Sequence, residues 1–338
     1  MEDWKTLSLV GGVLLLLTIA TIVGQFLKRF PDTGLNAAAI RTFNLRLRAW
    51  WMMCALLATA RFIGEGLSVA MFGFISFVAL REFITITPTR LGDHRALFWA
   101  FVFFTPLQYV LVAAQSLTPA SPPWSAVFRP LQHVLIWMNT NQFYNVLIPV
   151  YAFLFVPARV ALSGDFKRYL ERVAKIQAGL MICVYCLSFA PALLYLDVLG
   201  QQGSNYRLLF FFILMVQLGD ALQYLWSKLA GRHVIVPSIS PNRTWEGFIG
   251  SVATTSLLGA ALSWATPFEP WQAAALAFVV SILGFAGGLT MSAIKRDRGV
   301  KDYGTLVEGH GGVLDRIDSI CFAAPVFYHI TRSMFPPG

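Results

Sequence analysis

Residues 271–319 read WQAAALAFVVSILGFAGGLTMSAIKRDRGVKDYGTLVEGHGGVLDRIDS. The opening part, 271–294, is an apolar run longer than the roughly 20 residues that a helix needs to cross a bilayer. It stops at Lys295-Arg296. Beyond it Lys295, Arg296, Asp297, Arg298, Lys301, Asp302, Glu308, His310, Asp315, Arg316 and Asp318 crowd among five glycines, and a second apolar run follows at about 317–335. Span, polar connection, span is the repeating unit of a polytopic helical protein, because in lipid a helix satisfies every backbone polar group within itself.

The same alternation recurs outward from that stretch. The 338 residues are 57% hydrophobic and 13% charged, with a mean hydropathy of +0.62, whereas roughly a quarter of a soluble domain is charged. Further apolar runs lie at about 7–27, 49–62, 67–83, 97–115, 142–162, 176–196, 208–227 and 248–265. They predict an all-α, polytopic integral membrane protein of about nine to ten transmembrane helices. The lower count holds if the short region around Arg61-Phe62-Ile63-Gly64-Glu65 is a re-entrant or kinked element. No linker interrupts the chain, so 1–338 reads as a single transmembrane domain, with N-terminal helices in 1–200 and the polar segments gathered in 201–338. The leader MEDWK lacks a cationic n-region and a small-residue cleavage site, so the first span is expected to stay attached. The proline-bearing segment 116–140 reads as an outer loop with a short interfacial helix at about 134–138.

A net charge of +9 raises the question of nucleic acid, and the positions of the cations answer it. With ten spans and the N-terminus outside, all but Lys5, Arg61, Arg129, Arg207 and Arg332 of the 26 Lys and Arg fall on one side. By the positive-inside rule that side is cytoplasmic, and no nucleic-acid partner is needed. The segment GRHVIVPSISPNRTWEG (Gly231–Gly247) falls on the same surface as 292–319, one helical hairpin away, so the two can meet. Cys54, Cys183, Cys186 and Cys321 all lie in apolar runs and read as small core or lipid-facing residues; the Cys183-x-x-Cys186 pair has no second pair to make a zinc site.

Residues 292–319 suit a metal–polyphosphate complex. Lys295, Arg296, Arg298 and Lys301 supply cations, and Gly309, Gly311 and Gly312 let backbone N–H groups approach an anion. Asp315 and Asp318 share one face if the last helix begins there. Carboxylates take Mg²⁺, which bridges phosphate oxygens, and Lys/Arg neutralise the remainder; a bare anion site has no use for the carboxylates. Cations at span ends such as Lys28, Arg29, Arg46 and Arg48 need only be topogenic anchors, but topology requires neither glycines around a histidine nor Asp-Arg-x-Asp at a helix entrance. Asp220, inside the run VQLGDALQYLWSK, is costly in lipid and marks either a functional site or a hydrogen bond to Tyr224 or a neighbouring helix.

Ser292-x-x-Lys295-Arg296-x₄-Lys301-Asp302-x-Gly304, followed by Gly309-His310-Gly311-Gly312-x-x-Asp315-Arg316-x-Asp318, closely resembles the C-terminal motif of the phosphatidate cytidylyltransferases, or CDP-diacylglycerol synthases. Ser240-Pro241-Asn242-Arg243-Thr244-Trp245-Glu246-Gly247 resembles the family's S-P-x-K-T-x-E-G segment, and Asp220-Ala221-x-x-Tyr224 its D-T-x-A-Y helix. The resemblance is tight over 218–319 and compositional before that, which makes 201–338 the catalytic half. It implies attack of a phosphatidate oxygen on the α-phosphorus of CTP, giving CDP-diacylglycerol and pyrophosphate at the cytoplasmic face of a bacterial inner membrane. It implies Mg²⁺, with a monovalent cation such as K⁺ as a companion, and a homodimer. Carried over residue by residue, it implies catalytic roles for Lys295, Arg296, Lys301, Asp302, Asp315 and Asp318, and metal binding by Asp315, Asp318 and Asp220. Ser240, Arg243, Thr244, Glu246, His310, Gly311, Gly312 and Arg316 become substrate contacts, with His310 a hydrogen-bond donor or loop residue rather than a base.

Three positions depart from the pattern. The family's Lys in the S-P-x-K-T segment is Arg243, its proline before Gly309 is Glu308, and its metal-binding Gly-Asp-Leu is Gly287-Gly288-Leu289. Gly288 has no side chain with which to ligate, so Asp220, Asp302 or Asp297 compensates, water fills the position, or the reaction is altered or lost. The alternatives are cytidylyl transfer to another lipid phosphate, and a non-catalytic or transport protein that binds anionic lipid. A transporter would spread ionisable residues through several spans and shows internal duplication in many folds; no duplication is visible here.

Overall fold

The expected spans are helices wherever the computed structural model describes them: residues 64–117, 129–140, 142–196, 198, 205–304 and 311–335, with isolated positions between 11 and 51. The helices are α1 (Glu65–Ile86), α2 (Leu91–Ser116), α3 (Arg129–Thr140), α4 (Phe143–Ala161), α5 (Tyr169–Tyr195), α6 (Tyr206–Leu229), α7 (Trp245–Ala261), α8 (Pro270–Asp297) and α9 (Leu314–Met334). Six of them, α1, α2, α4, α5, α6 and α8, are long and apolar enough to cross a membrane. This is a helical integral membrane protein. Apart from those isolated positions, the expected spans at 7–27 and 49–62, and most of the 61–65 element, lie outside the described residues. Where a short interfacial helix is expected at 134–138, the longer helix α3 is found.

Two compact units divide the chain: Met1–Ser68 with Glu308–His310, and Val69–Val307 with Gly311–Gly338. In the first, the Trp51 indole N–H donates to Thr21 Oγ1 at 3.0 Å. All the contacts below belong to the second.

Several helices outrun the apolar runs that predict them, furthest at a cation-rich end. The run 176–196 becomes α5 from Tyr169, where Lys175 pairs with Glu171 at 2.5 Å in i,i+4 spacing. Helix α7 begins at Trp245 rather than 248, because the Thr244 hydroxyl accepts the Gly247 N–H at 3.1 Å as an N-cap. Helix α9 begins at Leu314 rather than 317 for a comparable reason, its first N–H groups being satisfied by a carboxylate from α1. Asp315 and Asp318 therefore do lie one turn apart on a helix.

Helices α6, α7, α8 and α9 pack through small residues, as expected where lipid removes the hydrophobic drive and close van der Waals approach must replace it. A Cβ on Gly259 of α7 would come within 2.6 Å of the Ala277 Cβ on α8. One on Gly287 of α8 would come within 2.8 Å of the Asp318 carbonyl on α9. Phe211 and Phe212 of α6 and Phe327 of α9 fill the space between them, with the Phe212 and Phe327 ring centroids 4.9 Å apart.

A hairpin joins α6 to α7, a strand pair that the all-helical expectation omitted. Strands β1 (Val234–Val236) and β2 (Ser240–Thr244) are antiparallel, with Val234 opposite Thr244 and Val236 opposite Ser240.

Candidate active site

The hairpin is fixed at its base by Glu246, in the first turn of α7. One carboxylate oxygen accepts the backbone N–H groups of Arg232 and His233 at 3.1 and 3.2 Å, and the other lies 2.5 Å from His233 Nδ1. The His233 contact, aided by those amides, pulls the Glu246 carboxyl down to about 2. Thr244, besides capping α7, donates to Ser227 Oγ on α6 at 3.1 Å. Held on both sides, β2 directs Arg243 onto α8, where Nη1 donates to the Phe285 carbonyl at 2.8 Å and the guanidinium lies over the Phe285 ring, 5.2 Å from its centroid. There it fills the space beside Gly288; a Cβ at that position would overlap Nη2. From the other direction Arg296 Nε donates to the Ile239 carbonyl at 3.3 Å. The hairpin and the end of α8 thus meet, as the cation pattern of the sequence allows.

Asp315 is the centre of the second cluster. Its Oδ1 lies 2.6 Å from Lys295 Nζ, and its Oδ2 accepts the N–H groups of Tyr303 and Gly312, both at 2.9 Å. The Lys295 and Asp315 side chains are 13% and 9% exposed, so the pair is largely desolvated and losing one member would leave an uncompensated charge. Tyr303 wedges beneath it, its hydroxyl donating to the Met291 carbonyl at 3.0 Å and its ring stacked on Phe83 with centroids 6.2 Å apart. Burial pushes the Tyr303 hydroxyl far up, so it stays a neutral donor. One turn along α9, Asp318 Oδ1 accepts the Ser319 N–H at 2.7 Å. The Asp318 carbonyl lies against Gly287 and the Arg243 guanidinium against the adjacent Gly288, so the hairpin's cation and this turn of α9 reach the same stretch of α8. One cation from the hairpin, one from α8 and two carboxylates from α9 therefore gather where α8 and α9 pack together.

The other expected residues are distributed around it. Gly311 has φ +81°, and a Cβ there would lie 2.8 Å from Asp315 Oδ2 and 3.2 Å from Asp302 Oδ1, which brings Asp302 to the cluster's edge. Lys301 is exposed and Ser240, at the start of β2, is half-buried. Arg316 offers its carbonyl to Gln217 Nε2 of α6 at 3.5 Å, and Asp220 lies one turn further along that helix. Glu308 and His310 lie outside the described residues. Glu82 of α1 was not among the expected residues, yet its carboxylate accepts the N–H groups of Val313 and Leu314 at 3.0 and 2.8 Å. An ionisable residue at the end of an apolar run was its one visible signal in the sequence.

Mg²⁺ usually binds through one or two carboxylates and completes its octahedron with water and substrate phosphate oxygens. Asp315 and Asp318 are two carboxylates one turn apart, of which Asp315 already accepts from Lys295 and two amides. Among the described residues no group of three or more His, Cys, Asp or Glu forms an all-protein cage.

A model of the cytidylyltransferase family matches residues 44–334. The chain is 34% identical over 322 residues to the uncharacterized protein YnbB of Escherichia coli (strain K12), a match covering 94% of this chain and 95% of that protein. It is 39% identical over 128 residues to the phosphatidate cytidylyltransferase of Staphylococcus aureus (strain COL), covering 37% of this chain and 48% of that one. With the enzyme of the same name from Staphylococcus haemolyticus it shares 34% over 160 residues, 46% and 61% of the two chains. The chain thus spans about half to three fifths of the phosphatidate cytidylyltransferases it matches. Its motifs, its membrane helices and a match across most of its length lead to one statement: this chain belongs to the cytidylyltransferase family.

Proposed function

We propose that this nucleotidyltransferase moves the cytidylyl group of CTP onto phosphatidate at the cytoplasmic face of a bacterial inner membrane. A phosphate oxygen of phosphatidate forms a bond to the α-phosphorus of CTP. The bond from that phosphorus to the bridging oxygen breaks, and the electron pair leaves with pyrophosphate, giving CDP-diacylglycerol. The observation that carries this reading is that Arg243, Lys295, Asp315 and Asp318, from three elements, gather where α8 and α9 pack together.

The attacking phosphate is already ionised, so no strong base is needed; the obstacle is bringing two polyanions together. In this reading Asp315 and Asp318 hold Mg²⁺, which when bound neutralises and polarises the triphosphate. Lys295, released from Asp315, meets the phosphates together with Arg296 and Lys301. Arg243 and Ser240 seat the nucleotide or the lipid headgroup. Thr244 and Glu246 act through the hairpin, since their side chains are engaged in holding it on α6 and α7. The acyl chains of the acceptor stay in lipid throughout.

The test is full-length protein in detergent with CTP labelled at the α-phosphorus, phosphatidate and Mg²⁺. Label is expected in the organic phase, dependent on phosphatidate, with one pyrophosphate released per lipid labelled. Pyrophosphate release without labelled lipid, or label passing only to a different lipid phosphate, would overturn the phosphatidate assignment.

A further inference from the structure

Glu82 sits one turn before the end of α1 and is 4% exposed. A carboxylate in an apolar helix is costly unless it is fully hydrogen-bonded. Here Oε1 accepts the Val313 N–H at 3.0 Å and Oε2 accepts the Leu314 N–H at 2.8 Å. Those N–H groups open α9, where helical amides have no intrahelical acceptor and the helix dipole favours negative charge.

Two glycines of the motif have their explanation in the same carboxylate. Neither Gly304 nor Gly312 has the positive φ that would itself call for glycine. A Cβ on Gly304 would come within 2.8 Å of Glu82 Oε1, and one on Gly312 would overlap Oε2. Both glycines are places where backbone closes onto Glu82. The Gly312 N–H donates to Asp315, so the successive amides of Gly312, Val313 and Leu314 are all gripped by two carboxylates, one from α9 itself and one from α1.

We propose that Glu82 is a positioning residue for the reaction: it fixes the loop-to-α9 junction, and with it the placement of Asp315 and Asp318. The effect on turnover rests on the cytidylyl-transfer reading; the grip on the amides does not. In the full-length protein, Glu82→Ala is expected to speed hydrogen exchange at the 312–314 amides about tenfold or more. It is expected to lower kcat about 100-fold, with KM for CTP changed less than about threefold, and Glu82→Gln, which keeps the shape and one acceptor, is expected to recover about tenfold. Unchanged exchange at 312–314 overturns the proposal, as does faster exchange with kcat within about twofold of the unmodified chain. If the unmodified chain makes no CDP-lipid, the functional reading fails while the exchange result still decides the role of Glu82. If Glu82→Ala does not fold, Glu82→Gln carries the test: exchange at 312–314 is expected to rise and kcat to fall about tenfold, and a lack of change in either overturns the proposal.

Discussion

At Gly288 the space that a side chain would fill belongs to Arg243, while the adjacent Gly287 is small for a different reason, the close passage of α9 at the Asp318 carbonyl. The two departures from the family pattern at 243 and 288 are therefore one arrangement. A planar guanidinium, anchored to the Phe285 carbonyl and stacked on its ring, sits where a side chain on 288 would sit. Lysine is a point donor that cannot bond and stack in the same way. Gly288→Ala is expected to displace the guanidinium and lower cytidylyl transfer about tenfold to 100-fold, the range for losing a hydrogen bond from a charged group. Arg243→Lys in that background should recover part of the loss, because its narrower head clears the new methyl group. Steady-state rates of the two variants decide it; equal activity of Gly288→Ala and the unmodified chain would contradict the arrangement. The sequence displays both substitutions but not their contact, since 45 residues separate them and only packing of β2 on α8 joins them.

The hairpin between α6 and α7 is the element that carries Arg243, and its hold depends on Glu246. The Glu246 carboxyl is drawn from its ordinary 4.5 to about 2. A depressed folded value means that the contribution to hairpin stability is fully present above pH 4.5 and is lost as pH falls toward 2. Exchange protection of the Arg232 and His233 amides, corrected for the intrinsic pH dependence of exchange, should hold from neutral pH to about 4.5 and decline below it. Glu246→Gln should reduce it at neutral pH; protection unaffected by that change would contradict the clasp. The site is exposed, so added salt weakens the effect. Element positions were legible in the apolar runs, but their polar ends were not. Caps from Thr244 and Glu82 set the starts of α7 and α9, and the Glu82 cap comes from more than 200 positions away. The reasoning that marks Asp220 as costly in lipid marks Glu82 equally; only the packing of α1 shows what Glu82 is for.

For the molecule as a whole, the distribution of cations along the sequence predicts that 231–247 and 292–319 share a membrane face, and the contact of Arg296 with Ile239 agrees with it. Periodicity and charge reached that far because topology is written in one-dimensional features, span length and Lys/Arg placement. The internal partners of Asp315 were not legible, since a carboxylate that pairs with Lys295 and two amides reads in sequence the same as one that waits for a metal. The central claim is that hairpin and α9 act as one site on one nucleotide. Its most direct test is a double-mutant cycle on kcat/KM for label transfer from CTP to phosphatidate, using Arg243→Ala and Asp315→Ala singly and together. Each single change is expected to cost about 100-fold, and the pair well short of the roughly 10⁴-fold product, because groups that serve one complex are not additive. Full additivity, or a single change without effect, would contradict it.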